Sequence, residues 1–215
     1  MATSIRDTTR IDRIAVGLVL ALLSIAMMLY ALQYVRTSWA FAQVRPAYLS
    51  VTKGQLPGEL ELDALTRSLR TSPYRSDLSG AAFVQLLRAQ QLGIASIRAL
   101  PRLIAAKHDL RLGIAASPAD AFAWTRLAVA QAELGERKQA ADALAMALEL
   151  APAERVLASI QFDMAVLLWD DLSPSARVSL AQRLKWLEGV KDLRDVASGN
   201  SVRSLHLKLG LAQPK

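Results

Sequence analysis

SPADAFAWTRLAVAQAELGERKQAADALAMALELAP, Ser117 to Pro152, is the most regularly patterned stretch of a 215-residue chain. Trp124, Leu127, Ala128 and Gln131 fall at i, i+3, i+4 and i+7, the spacing of one helix face. Ala140, Leu144, Ala147 and Leu148 repeat that spacing in a second segment. Between them, Leu134-Gly135-Glu136-Arg137 predicts a tight turn, with Gly135 free to adopt the left-handed conformation that ends a helix. Ser117 is positioned to cap the first helix, with Pro118 in its first turn and Asp120 shortly after. Alanines at 128, 140 and 147 let two backbones approach, and Trp124 and Leu144 fill the remaining space. The stretch predicts an antiparallel helix pair.

Outward from it, the pattern weakens but stays helical. Ser72-Pro73 echoes Ser117-Pro118 from 45 residues upstream, leaving room for helices at 78–92 and 102–116 around an insertion at 93–101. Downstream, helices are expected at 155–170 and, after the start signal Ser173-Pro174, at 175–187. No long β-branched runs bounded by turn signals occur, so the expected fold class is all-α.

These residues resemble the tetratricopeptide repeat (TPR) family, whose unit is a 34-residue helix-turn-helix. Trp124, Leu127 and Ala128 match its large–large–small set, Gly135 its turn, and Ala140, Leu144 and Ala147 its second helix. Pro152 closes the unit 34 residues after Pro118. Gln131 departs from the pattern, since the family usually places an aromatic there, and packing at that position is expected to be looser. The match covers one repeat well. With degenerate neighbours, it implies a short TPR-like α-solenoid of three helix pairs over 59–211, with 59–71 packing before them and 190–211 after.

The first 58 residues differ in character. Residues 14–35 form an uncharged run of 22 between Arg13 and Arg36. As a helix it is about 33 Å long, near the roughly 30 Å thickness of a bilayer core. Ser24 can bond back to its own helix, and Tyr30, Tyr34, Trp39 and Phe41 cluster as an interfacial belt would. A tail (1–13), a transmembrane helix (14–35) and a linker (36–58) interrupted by Pro46, Gly54, Pro57 and Gly58 are therefore expected. Ala40-Phe41-Ala42 has the form of a signal-peptidase site, but cleavable cores run to about 7–15 apolar residues, which favours an uncleaved anchor. The flanking positive charges nearly balance. The short basic N-terminus favours a cytoplasmic start and a periplasmic or otherwise extracytoplasmic C-terminal domain.

Chemistry is sparse. Cysteine is absent, and His108 and His206 are the two histidines, which excludes disulfide, thiolate and histidine-rich metal chemistry. Asp170-Asp171 reads as a helix end rather than a carboxylate pair, and His108 has no second ligand at useful spacing. Arg98, Arg102, Lys107 and Arg111 do not share a face, since Arg102 and Lys107 point about 140° apart on a helix. No phosphate loop or nucleophile elbow is present. The net charge of +7 is compatible with plain solubility as well as with anionic partners. No catalytic residue, metal or cofactor is assigned, and neither nucleic acid nor a small-molecule substrate is expected.

The TPR resemblance implies a partner protein held on first-helix residues that turn away from the hairpin core: Phe122, Thr125, Arg126, Val129 and Glu133. Some TPR proteins grip a carboxylate with Lys and Asn in this helix. Thr125 and Val129 stand at the matching places here, so that activity does not carry over. The sequence thus predicts a single-pass, non-catalytic scaffold presenting a protein-binding face in a bacterial-type cell envelope. The alternative is an accessory or regulatory subunit of a membrane enzyme complex, such as surface-polysaccharide assembly machinery.

Overall fold

The computed structural model describes residues 4–52, 55, 57–72, 74–75, 77–93, 96–188 and 200–210. Their regular elements are all helices, with no strand among the described residues. The chain divides into two compact units, Met1–Pro73 and Tyr74–Lys215.

The first unit holds α1 (Ser4–Thr52) and α2 (Glu59–Arg70). One window of α1, Val16–Arg36, is long and apolar enough to cross a membrane, with a mean hydropathy of 2.2 and no burial within the protein. Ser24 Oγ donates to the Leu20 carbonyl at 2.8 Å, so its hydroxyl is satisfied within the helix as expected. Tyr30, Tyr34 and Trp39 are exposed along it, while the side chain of Phe41 lies outside the described residues.

The stretch 36–58, expected to be an irregular linker, is instead helical as far as Thr52. Pro46 sits inside that helix. A proline removes one N–H from the ladder without preventing helical φ, and here the flanking residues carry the helix through it. Ser50 Oγ donates to the Pro46 carbonyl at 3.1 Å. Ala47 and Val51 are buried near the end of α1, as are Leu62, Leu65 and Leu69 of α2, and the two helices pack together. Helix α2 opens at Gly58, whose N–H donates to Glu61 Oε2 at 3.2 Å. Residues 59–71 were expected to belong to the solenoid; they fall in the unit with α1.

The second unit contains α3 (Asp77–Gln91), α4 (Leu100–Ala116), α5 (Ala121–Glu133) and α6 (Arg137–Leu150), then α7 (Arg155–Leu167), α8 (Pro174–Glu188) and α9 (Asn200–Leu209). Helices α3 with α4 and α5 with α6 form the two tightest hairpins, and α5 also lies against α4. At Gly113 of α4, an added Cβ would stand 3.3 Å from the Ser79 nitrogen and 3.6 Å from its Cβ. That close approach explains a glycine in mid-helix despite its cost there. Leu103, Leu110, Leu127, Leu144 and Leu148 share one core with Ala106, Ala123, Ala128 and Ala140. Leu134, Leu168 and Trp169 close it at the far end, Leu168 fully buried.

The α5–α6 turn forms as its sequence predicts. Gly135 has φ +76°. Its N–H donates to the Ala132 carbonyl at 2.9 Å, and the Glu136 N–H donates to the Gln131 carbonyl at 2.8 Å. This crossed pair is a Schellman ending. A Cβ at Gly135 would meet nothing within 4 Å, so the demand for glycine is conformational. Gly135→Val is accordingly expected to lower stability by about 2 kcal/mol, and Gly135→Asn by less, in urea unfolding followed by circular dichroism. Equal stability of the Val variant and the wild type would contradict the left-handed turn.

Two expectations change. Ser117 is the C-cap of α4, and the helix it was expected to open begins later, at Ala121 with Asp120 as N-cap. The Asp120 carboxylate accepts from Phe122 N at 3.0 Å and Ala123 N at 3.1 Å. A carboxylate satisfying two orphan amides, in the positive field of the helix start, outcompetes a serine three residues upstream. The third pair also departs. Helix α7 ends in a single 3-10 turn, Trp169–Asp171, where the hairpin before it has Gly135. Helix α7 packs on α5, α6 and α9, and α8 on α6 and α9. Helices α7 and α8 thus do not form a close hairpin like the two before them. Of the expected C-terminal element, residues 200–209 form α9, and 190–199 and 211 lie outside the described residues.

Candidate interaction surface

The 34-residue spacing is written into the backbone. Helices α4 and α6 end at Ser117 (φ −138°, ψ 76°) and Ala151 (φ −140°, ψ 68°). Helices α5 and α7 begin after Asp120 (φ −80°, ψ 94°) and Glu154 (φ −76°, ψ 107°). Both turns carry proline at the same place, Pro118 and Pro152. In both, the N-cap N–H donates to the residue three before it, at 3.2 and 3.3 Å. Both caps accept from the amide two residues on, Phe122 N at 3.0 Å and Val156 N at 3.2 Å. The turns are conformational copies one repeat length apart.

The five residues expected on the open face of α5 divide. Thr125 is buried, at 1% exposure. Its hydroxyl donates to the Ala121 carbonyl at 2.8 Å and accepts from Gln161 Nε2 of α7 at 2.8 Å. It belongs to the α5–α7 contact and is not available to a partner. The expectation failed because the neighbouring helix, not solvent, lies on that side.

Phe122, Arg126 and Val129 are half-buried and Glu133 is exposed. The Arg126 guanidinium lies over the Phe83 ring of α3 at 4.4 Å and near the Phe122 ring at 5.9 Å. Its Nη1 donates to the Ser79 carbonyl at 3.4 Å. A cation held by two aromatic rings and a carbonyl in this way loses side-chain freedom and keeps one position on α5. Partial desolvation raises the Glu133 pKa above the ordinary carboxylate value. The protonated form is therefore favoured by folding, a contribution present at low pH and lost as pH rises through the folded pKa. Glu133→Gln is expected to melt above the wild type at pH 7 and together with it near pH 3. A wild type that melts higher at pH 7 would contradict the desolvation.

Helix α7 extends this face. Val156 is 76% exposed, and Ile160 and Leu167 are also exposed. They stand 34 residues after Phe122, Arg126 and Glu133 respectively. Around α5 the stripe lies about 40–100° from Thr125; around α7 it lies about 100–140° from Gln161 in the opposite sense. Two chain reversals make α5 and α7 run the same way, so opposite senses from their mutual contact place both stripes on one side. The α7 residues could have been found by carrying the α5 stripe forward one repeat.

Several groups considered for chemistry have structural roles. Asp171 pairs with Arg137, whose Nε and Nη2 each stand 2.9 Å from Oδ2, and Arg137 Nη2 also donates to the Leu167 carbonyl at 2.8 Å. Lys107 pairs with Glu136 at 2.5 Å. His108 is exposed, and no cluster of metal-ligating side chains occurs among the described residues. Arg183 was not singled out by its sequence, yet it is 2% exposed. It donates from Nη1 to the Ala151 carbonyl at 2.6 Å and from Nη2 to the Glu154 carbonyl, and burial lowers its pKa. Its position in register with Leu180, Leu184 and Leu187 was the available signal.

No protein-family model matches the chain, and no curated protein matches it.

Proposed function

We propose that this chain is a membrane-anchored, non-catalytic scaffold that holds a partner protein on the shared face of α5 and α7. Residues 14–35 span the bilayer, the N-terminus is cytoplasmic, and the C-terminal helices stand outside the cytoplasm. The α3–α9 unit is a short TPR-like stack with a degenerate last pair. The observation that carries this reading is the pair of copied turns at Ser117–Asp120 and Ala151–Glu154. They put successive first helices, α5 and α7, side by side with their stripes one repeat apart.

The stripe offers Phe122, Val129, Val156, Ile160 and Leu167 as apolar contact, with Arg126 and Glu133 beside them. An apolar strip edged by one cation and one anion suits a peptide or an amphipathic helix.

Isolation of the full-length protein from its native membranes in mild detergent tests this reading. A specific protein should co-purify and be lost with Phe122→Asp/Val156→Asp, while helicity and melting temperature are retained. Co-purification that the double variant leaves intact would contradict the face. An integral enzyme in fixed ratio would make the chain an accessory subunit of a membrane enzyme complex.

A further inference from the structure

On the side of α5 opposite Phe122, an open cleft of about 380 Å³ lies between α4 and α6 with α5 as its floor. Trp124 and Leu127 form the floor, Ile114 and Met146 the walls. The Trp124 ring is pinned by its Nε1, which donates to the Pro118 carbonyl at 2.8 Å. Of the polar side chains that line it, Arg111, Gln139 and Asp142 are exposed and Gln131 is buried. Gln131 lines the cleft and is 4% exposed, and its Oε1 has no hydrogen-bond partner among the described residues. A buried carbonyl oxygen without a partner is costly, and rotation of the carboxamide exchanges its ends and can turn that oxygen to the cleft. At the rim stand Arg111 on α4 and Asp142 on α6, both exposed and neither in an ion pair among the described residues.

We propose that this cleft receives a tyrosine side chain from a partner protein segment. The volume is at the lower end of ligand-sized sites and has room for one large side chain with the backbone and neighbours that carry it. Apolar walls and a fixed indole favour an aromatic ring. A phenolic hydroxyl can donate to Oε1, the atom that lacks a partner. Phenylalanine and leucine would fill the space and leave Gln131 unsatisfied. An acidic neighbour of the tyrosine would meet Arg111 and a basic one Asp142, which sets the direction of the segment across the helices.

The test uses full-length protein in detergent micelles, with N-acetyl-tyrosinamide and N-acetyl-phenylalaninamide as probes. The readout is the Trp124 indole N–H resonance, assigned with Trp124→Phe. The tyrosine amide should shift it saturably, and the phenylalanine amide should bind about 5-fold more weakly, one net hydrogen bond. Gln131→Leu should abolish that preference. Met146→Trp, at an exposed wall position, should block both probes while helicity is unchanged. Absence of a saturable shift, equal binding of the two amides to the wild type, or binding that survives Met146→Trp would each overturn the proposal. The Phe122 face is untouched by any of these outcomes.

Discussion

Leu22→Arg combined with Ile25→Arg is expected to release the protein from carbonate-washed membranes. Both side chains are more than half exposed on α1, within the 21-residue window Val16–Arg36. Each apolar residue near the middle of a span contributes a few tenths of a kcal/mol to insertion, whereas arginine there costs about 2.5–3.5 kcal/mol. The pair therefore shifts insertion by roughly 6–8 kcal/mol, enough to reverse it for a single span. The wild type should remain in the pellet with its N-terminus intact. A double variant still resistant to carbonate, or a wild-type protein beginning at Gln43, would contradict an uncleaved anchor.

Arg183→Leu is expected to give the largest loss of stability in the α3–α9 unit. Its guanidinium donates to the carbonyls of Ala151 and Glu154, the two ends of the turn between α6 and α7. Ala151 is the C-cap of α6, where unpaired carbonyls make a cation favourable. Leucine retains much of the apolar packing of α8 but leaves the Glu154 carbonyl without this donor and the Ala151 carbonyl with the Glu154 N–H alone. Losing a hydrogen bond from a charged group or leaving a carbonyl unsatisfied costs about 1–3 kcal/mol, so a loss of about 3 kcal/mol and a fall in Tm of roughly 10 °C are expected for the two together. Arg183→Lys should recover part of this, because one ammonium can reach one carbonyl well. An unchanged Tm would show that the clamp is dispensable.

Much of the second unit is legible in its sequence because its signals are local. Helix periodicity, Gly135 and Ser173-Pro174 each act over a few residues, and the elements appear where they point. The α4–α5 boundary is misplaced by the sequence because Ser117 and Asp120 are both good caps, and the carboxylate wins by satisfying two amides. Helicity through Pro46 is hidden because proline's local penalty is visible and the cooperativity of a 49-residue helix is not. Among site residues, Thr125 could not be separated from Phe122 or Val129 by periodicity alone. Which flank of a helix a neighbour covers is a tertiary fact, fixed here by Gln161 from 36 residues away. Arg183 shows the same limit: an arginine in an apolar register can be an error of pattern or a clamp, and the carbonyls that decide it lie on another helix.

Site-specific photo-cross-linking in native membranes tests the docking face most directly. A benzophenone side chain is placed at Phe122 or at Val156, and at the exposed Lys138 of α6 as a control. The docking face predicts that both face positions yield one common adduct of discrete mass and that Lys138 does not. The adduct should disappear when Ile160→Asp is added without change in melting temperature. Adducts of equal yield at all three positions, or none at Phe122 and Val156, would contradict a partner held between α5 and α7.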